Sequence, residues 1–193
     1  MSEPTSVVIA EDESIIRLDL KELLEEEGYD VVGETGRGDE AVELVRRLEP
    51  DLVILDIKMP GLDGLSAARH ISGERLAAVL VLTAFSQRDL VEQARDAGAL
   101  AYLVKPFQRS DLIPAIEMAI GRYRDMVSLE QSAGDLADRL EARKLIDRAK
   151  GKLMDGHNLS EQDAWRFIQT NAMNSRMRVE DVAQQVVDDD LTP

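Results

Sequence analysis

Residues 52–64 read LVILDIKMPGLDG, from Leu52 through Asp56 to Gly64, and the first four of them decide the fold. An apolar run without polar alternation reads as a strand buried on both faces. Residues 6–10, 79–82 and 101–104 have the same character, and 30–33 is a weaker fifth run. Amphipathic stretches over 15–27, 39–48, 64–72, 88–97 and from Asp111 onward separate them. Strands alternating with helices imply an α/β fold with a five-stranded, parallel, doubly wound sheet. Ligands of such sheets bind outside the carboxyl ends of the strands, at the point where strand order reverses.

The residues at those ends share one chemistry. Glu11 and Asp12 follow the first strand, Asp56 ends the third, Thr83 ends the fourth, and Tyr102 lies in the fifth with Lys105-Pro106 behind it. Singly each has an ordinary reading: an acid at a strand end is a turn or cap residue, and Thr83 and Tyr102 are good strand formers. No structural rule, however, demands acids after two strands and a lysine after another. Three crowded carboxylates repel one another unless a cation neutralises them, and magnesium suits an all-oxygen site shared with phosphate. Asp56 is then a nucleophile forming an aspartyl phosphate, with Lys105 and the metal neutralising developing charge. Thr83 offers its hydroxyl to the phosphoryl group, and its reorientation vacates space for Tyr102.

The segments VVIAEDES (7–14), LVILDIKMPGLDG (52–64), LTA (82–84) and YLVKPF (102–107) resemble a two-component response-regulator receiver domain over about residues 5–123. The resemblance implies a flavodoxin-like receiver, phosphorylated on Asp56 by a histidine kinase. It makes Glu11 and Asp12 metal carboxylates, Lys58 a backbone-carbonyl ligand, and Thr83 and Lys105 phosphoryl contacts. It also implies a cis peptide before Pro106, which proline makes inexpensive. Most receivers carry two aspartates where this chain has Glu11-Asp12; Glu11 is one methylene longer, so a water-mediated metal contact is expected of it.

Composition fits an intracellular regulator. There is no cysteine, hence no disulfide framework and no thiol catalysis. No signal peptide or apolar run of about 18 residues is present, so a cytoplasmic protein without membrane association is expected. The net charge of −15 opposes indiscriminate nucleic-acid binding. Residues 139–178 nevertheless hold nine basic against five acidic side chains, +4 in a chain otherwise at −19. A basic insert in an acidic body suggests a confined polyanion site, although a solvated helix face has the same signature.

The C-terminal part reads as helical. The last receiver helix is expected to run on as a linker over 124–138. Ile113, Ile116, Ile120, Tyr123 and Val127, then Leu129, Ala133, Leu136 and Leu140 in shifted phase, suit either a coiled-coil seam between two copies or packing on the same chain. A break is expected over 155–158, and Ser160 caps the next helix with Asp163 at its third position. Ala164, Phe167 and Ile168 mark its buried side. Trp165 reads as the main packing residue of the module or, less in keeping with small bundles, as a stacking platform. A third helix follows from Val179, completing a three-helix module too small for a catalytic centre. No enzyme is therefore expected beyond self-catalysed phosphoryl transfer and slow hydrolysis.

Residues 139–193 resemble the ANTAR domain, an RNA-binding antitermination module, in IDRAKGKLM (146–154), SEQDAW (160–165) and NAM (171–173) through Arg176 to Val182-Ala183. This implies a homodimer that reads paired RNA stem-loops and prevents a terminator hairpin from forming. Lys144, Arg148, Lys150, Lys152, Arg176 and Arg178 are the candidate backbone and loop contacts, with Asn171 and Ser175 as base-edge partners. The alternatives are a DNA-binding regulator, opposed by the lack of a densely basic recognition helix and by Asp188-Asp189-Asp190, and a phosphorelay or protein-docking adaptor.

Overall fold

The computed structural model describes residues 4–84 and 88–193. Two compact units divide between Ser128 and Leu129. In the first, β1 (Ser6–Ala10), β2 (Asp30–Thr35), β3 (Leu52–Asp56), β4 (Ala78–Thr83) and β5 (Ala101–Val104) alternate with α1 (Ser14–Glu26), α2 (Gly38–Leu48), α3 (Gly64–Gly73) and α4 (Arg88–Asp96). The strands pair in parallel in the order β2-β1-β3-β4-β5, so strand order reverses between β1 and β3.

The apolar runs do what burial on both faces requires. Val8, Ala10, Val53, Leu55, Val79 and Val81 pack with Ala41 and Val45 of α2 and with Ala67 and Ile71 of α3. Their alternates Val7, Ile9, Leu52, Ile54, Leu80 and Leu82 pack on the other face with Leu20 and Leu24 of α1 and with Leu112, Ile116 and Ile120 of α5 (Arg109–His157). The fifth expected strand is longer than its apolar run. It extends to Thr35 as a half-buried edge strand with a register shift opposite Val7 and Val8, and one neighbour does not demand unbroken hydrophobicity.

Helix α5 continues through Pro114 and past Ser128 into the second unit. Its first stripe packs on its own chain, since Ile116 and Ile120 are buried in the sheet's core. Leu129, Leu136 and Leu140 are exposed. The second unit is completed by α6 (Glu161–Ser175) and α7 (Val179–Val187). Its core joins Ala149 and Leu153 of α5, Ala164, Ile168 and Ala172 of α6, and Val182, Ala183 and Val186 of α7.

Two expectations need correction there. Asp155, Gly156 and His157 remain helical, and the break falls on Asn158, whose φ of 57° ends the helix in the left-handed region. Trp165 is not the packing centre: it is 37% exposed while smaller side chains fill the core. Ser160 caps as expected, its hydroxyl accepting the Asp163 backbone N–H at 3.1 Å.

Candidate functional site

Strand register builds the first site. Ala10 lies opposite Leu55, Asp56 opposite Leu82, and Thr83 opposite Val104. The next residue out on each strand therefore reaches the same sheet edge. The Lys105 N–H donates to the Thr83 carbonyl at 2.7 Å and the Ile57 N–H to the Leu82 carbonyl at 3.1 Å, which extends the ladder just past the strands. The peptide between Lys105 and Pro106 is cis.

Glu11, Asp12 and Asp56 each bring one carboxylate oxygen within 4.8 Å of the others. Glu11 is fully buried and Asp56 nearly so, whereas Asp12 is exposed. Lys105 Nζ lies 2.5 Å from Glu11 Oε2 and 2.9 Å from Asp56 Oδ1. Burial pushes the Glu11 carboxyl above its usual range and the Asp56 charge pushes the same way, with Lys105 partly offsetting both. Burial would lower the Lys105 ammonium, but the hydrogen bonds and charges of Glu11 and Asp56 win and hold it above its usual value.

One lysine facing three carboxylates leaves two negative charges, the complement of one divalent cation. All donors are hard oxygens, and the exposed Asp12 gives solvent-side access, so the set fits magnesium. Both Glu11 oxygens are engaged, Oε2 by Lys105 and Oε1 by the Glu13 N–H at 3.2 Å. Asp56 is engaged likewise, its Oδ1 by Lys105, so the exposed Asp12 is the freer donor. The Lys58 N–H donates to Asp56 Oδ2 at 3.1 Å, which brings the Lys58 backbone to the cluster.

Thr83 is buried at the end of β4, while Tyr102 stands 47% exposed on β5. Two residues escaped sequence reasoning. Arg17 Nη1 donates to the Glu11 carbonyl at 2.5 Å and ion-pairs with Glu34 at 3.7 Å, fixing the turn after β1; an arginine on an amphipathic helix gives no signal of this. Gly64 begins α3 against the end of β3, where a Cβ would meet the Asp56 carbonyl. Its place in the 52–64 motif was the available signal.

The candidate RNA contacts do not gather at one place. Lys144, Arg148, Lys150 and Arg178 line a common groove, joined there by Arg139 and Arg143, which sequence reasoning did not place among them, and by Trp165, whose second reading was a stacking platform. Lys152, Asn171, Ser175 and Arg176 are outside that lining. Lys152 binds the Val187 carbonyl at 2.6 Å and Asp189 at 2.8 Å, and Asn171 donates to the Phe167 carbonyl at 2.9 Å. Arg176 caps α6 with a φ of 54°, and Ser175 is the exposed last residue of that helix.

The response regulator receiver domain family matches residues 7–117. The chain belongs to that family. The ANTAR domain family matches residues 134–187, so this two-component response regulator joins a receiver to an ANTAR RNA-binding domain. It is 56% identical over 190 residues, 98% of its length and 93% of the relative's, to the transcriptional regulatory protein PdtaR of Mycobacterium tuberculosis. It is 39% identical to the chemotaxis protein CheY of Thermotoga maritima over 57% of this chain and 92% of that one. Among solved structures, the receiver domain of the putative response regulator NarL from Mycobacterium tuberculosis superposes with a TM-score of 0.60 at 30% identity, covering 62% of this chain and 98% of that one. Among the described residues no helix is long and apolar enough to cross a membrane.

Proposed function

We propose that this regulator receives a phosphoryl group on Asp56 from the phosphohistidine of a partner histidine kinase, and that its ANTAR domain then binds RNA stem-loops as a homodimer to prevent transcription termination. The observation that carries the first half is the Asp56 carboxylate, held at the sheet edge within 4.8 Å of two further carboxylates and 2.9 Å from Lys105. An Asp56 oxygen attacks phosphorus, the P–N bond of a phosphohistidine protonated on its other ring nitrogen breaks, and the bond pair leaves with neutral imidazole, which keeps that proton. Asp12 and Asp56, with the Lys58 backbone carbonyl, are the groups that would hold magnesium, with Glu11 reaching it through water. Once bound, magnesium would supply positive charge to screen repulsion between the Asp56 carboxylate and the incoming phosphoryl oxygens. Lys105 moves from Glu11 to a phosphoryl oxygen, and the Thr83 hydroxyl donates to another. Reorientation of Thr83 lets Tyr102 turn inward, which changes the exposed face around β5 and biases the output module.

Apart from this self-catalysed transfer and a slow hydrolysis, the protein is a switch rather than an enzyme, and it works in the cytoplasm where nascent transcripts are made. The test pairs two readouts on the full chain. Incubation with a phosphoryl donor and magnesium should add one phosphoryl group by intact mass, and Asp56→Asn should add none. A gel shift with a two-stem-loop RNA bearing hexanucleotide loops should tighten only for the phosphorylated wild type. Phosphorylation without RNA binding in any state refutes the RNA output, and a phosphorylated Asp56→Asn variant refutes the acceptor.

A further inference from the structure

Residues 129–193 carry nine basic against thirteen acidic side chains, so the second unit is acidic as a body. The groove it forms between the later part of α5, Trp165 of α6 and the start of α7 has the opposite sign. Arg139, Arg143, Lys144, Arg148, Lys150 and Arg178 line it against the acids Asp138, Glu141 and Glu180, and it is a solvent-open groove of about 960 Å³. That is the size of a site for a whole small ligand rather than for one side chain.

The six cations are not equivalent. Lys144 is paired with Glu141 at 2.8 Å, Lys150 with Asp147 and Glu161 at 2.9 and 2.8 Å, and Arg178 with Asp181 at 2.9 Å. Arg139, Arg143 and Arg148 make no ion pair within 4 Å among the described residues. These three guanidinium groups are available for an external anion, and guanidinium suits phosphate oxygens geometrically. Among them sits the chain's single tryptophan, left outside a core that smaller side chains already fill.

A flat aromatic surface next to unpaired guanidinium groups fits one chemistry well, an unstacked nucleobase on a phosphodiester backbone. A duplex hides its base faces and offers nothing to an indole, and an acidic peptide would use the arginines without the ring. We infer that Trp165 stacks on an unpaired base of the RNA loop while Arg139, Arg143 and Arg148 hold the adjoining phosphates. This rests on the RNA-binding reading above and narrows it: the groove, and not Lys152, Asn171, Ser175 or Arg176, takes the loop. Lys144, Lys150 and Arg178 shape the groove through their intramolecular pairs.

Because Trp165 is the chain's only tryptophan, its fluorescence reports the contact directly. The full chain, with and without phosphoryl donor and magnesium, is titrated with a hexaloop RNA hairpin, with a blunt RNA duplex of equal length, and with polyglutamate. Binding is followed independently by anisotropy of labelled RNA. The hairpin should quench the indole in step with binding, and the duplex and polyglutamate should not. Trp165→Ala should weaken hairpin binding about 5- to 150-fold, the range for loss of one stacked base, and Trp165→Phe should restore most of it. Replacing Arg139, Arg143 or Arg148 by Ala should each flatten the salt dependence of binding by about 0.7 in log–log slope. Hairpin binding with unchanged tryptophan emission, or with full affinity in a folded Trp165→Ala variant, overturns the inference while leaving RNA binding intact. Quenching by polyglutamate equal to that by the hairpin also overturns it. Absence of RNA binding in both states overturns the inference together with the RNA-binding reading.

Discussion

Replacing Gly64 by Ala tests how α3 is set against the phosphoacceptor strand. The added Cβ would lie 2.8 Å from the Asp56 carbonyl carbon, 3.1 Å from Ile57 Cα, and closer still to the Asp56 carbonyl oxygen. Carbon atoms rest at about 3.5–4.0 Å, so the first turn of α3 must retreat by roughly 0.7 Å or more. The obstacle is backbone, which cannot rotate away as a side chain can. The retreat also pulls on the Gly64 N–H bond to the Ile57 carbonyl, 2.9 Å long. Overpacking of this kind costs about 1–3 kcal/mol, or a fall in melting temperature of roughly 3–15 °C for a unit of this size. Gly121→Ala is the control: Gly121 is an exposed residue of α5, and a Cβ added there would meet nothing within 4 Å. There the same substitution removes a helix-interior glycine and should stabilise by about 1 kcal/mol. Calorimetry gives both signs, and intact-mass phosphorylation kinetics should show Gly64→Ala slowed because Asp56 is displaced. A Gly64→Ala protein as stable and as quickly phosphorylated as wild type refutes the close approach of α3 to β3.

Three further outcomes are expected. The Tyr29 phenol is pushed up to about 12 by burial, by its 2.8 Å hydrogen bond to Glu117 and by that carboxylate's charge. A folded pKa above the unfolded one gives stability that is complete below about pH 10 and lost as pH rises through about 12. NMR titration of ring-labelled tyrosine should show this, and Glu117→Gln should move the midpoint down. Ser160→Ala removes the cap of α6 and should cost about 1 kcal/mol in urea denaturation of the C-terminal unit, with Ser160→Asp nearly neutral. Chelation of magnesium should stop phosphorylation of Asp56, and Asp12→Asn should raise the magnesium concentration needed, measured by calorimetric titration of the unmodified chain.

The sheet was legible in the sequence because buried parallel strands are nearly context-free: four or five apolar residues in a row have few other places to go. Residues 52–55 and 79–82 carry that signature without interruption. The edge strand β2 was only partly legible, because an edge needs less hydrophobicity and its polar end at Glu34 and Thr35 resembles a loop. Helix ends were legible where a side chain makes the cap, as at Ser160, and not where the backbone does, as at Asn158. The carboxylates were legible as a set because a parallel sheet sends every strand's end to one edge.

What the sequence determined by itself was therefore the fold class, the strand ends, and the identities of Glu11, Asp12, Asp56, Thr83 and Lys105 as neighbours. Only tertiary structure decided that Lys105 bridges Glu11 and Asp56, that Gly64 must have no side chain, and that Trp165 lies outside its core. It also separated the paired lysines of the second unit from the unpaired Arg139, Arg143 and Arg148. The reason is range: apolar runs and strand ends are local properties, whereas burial of a tryptophan or pairing of a charge depends on which distant side chains claim the same space first.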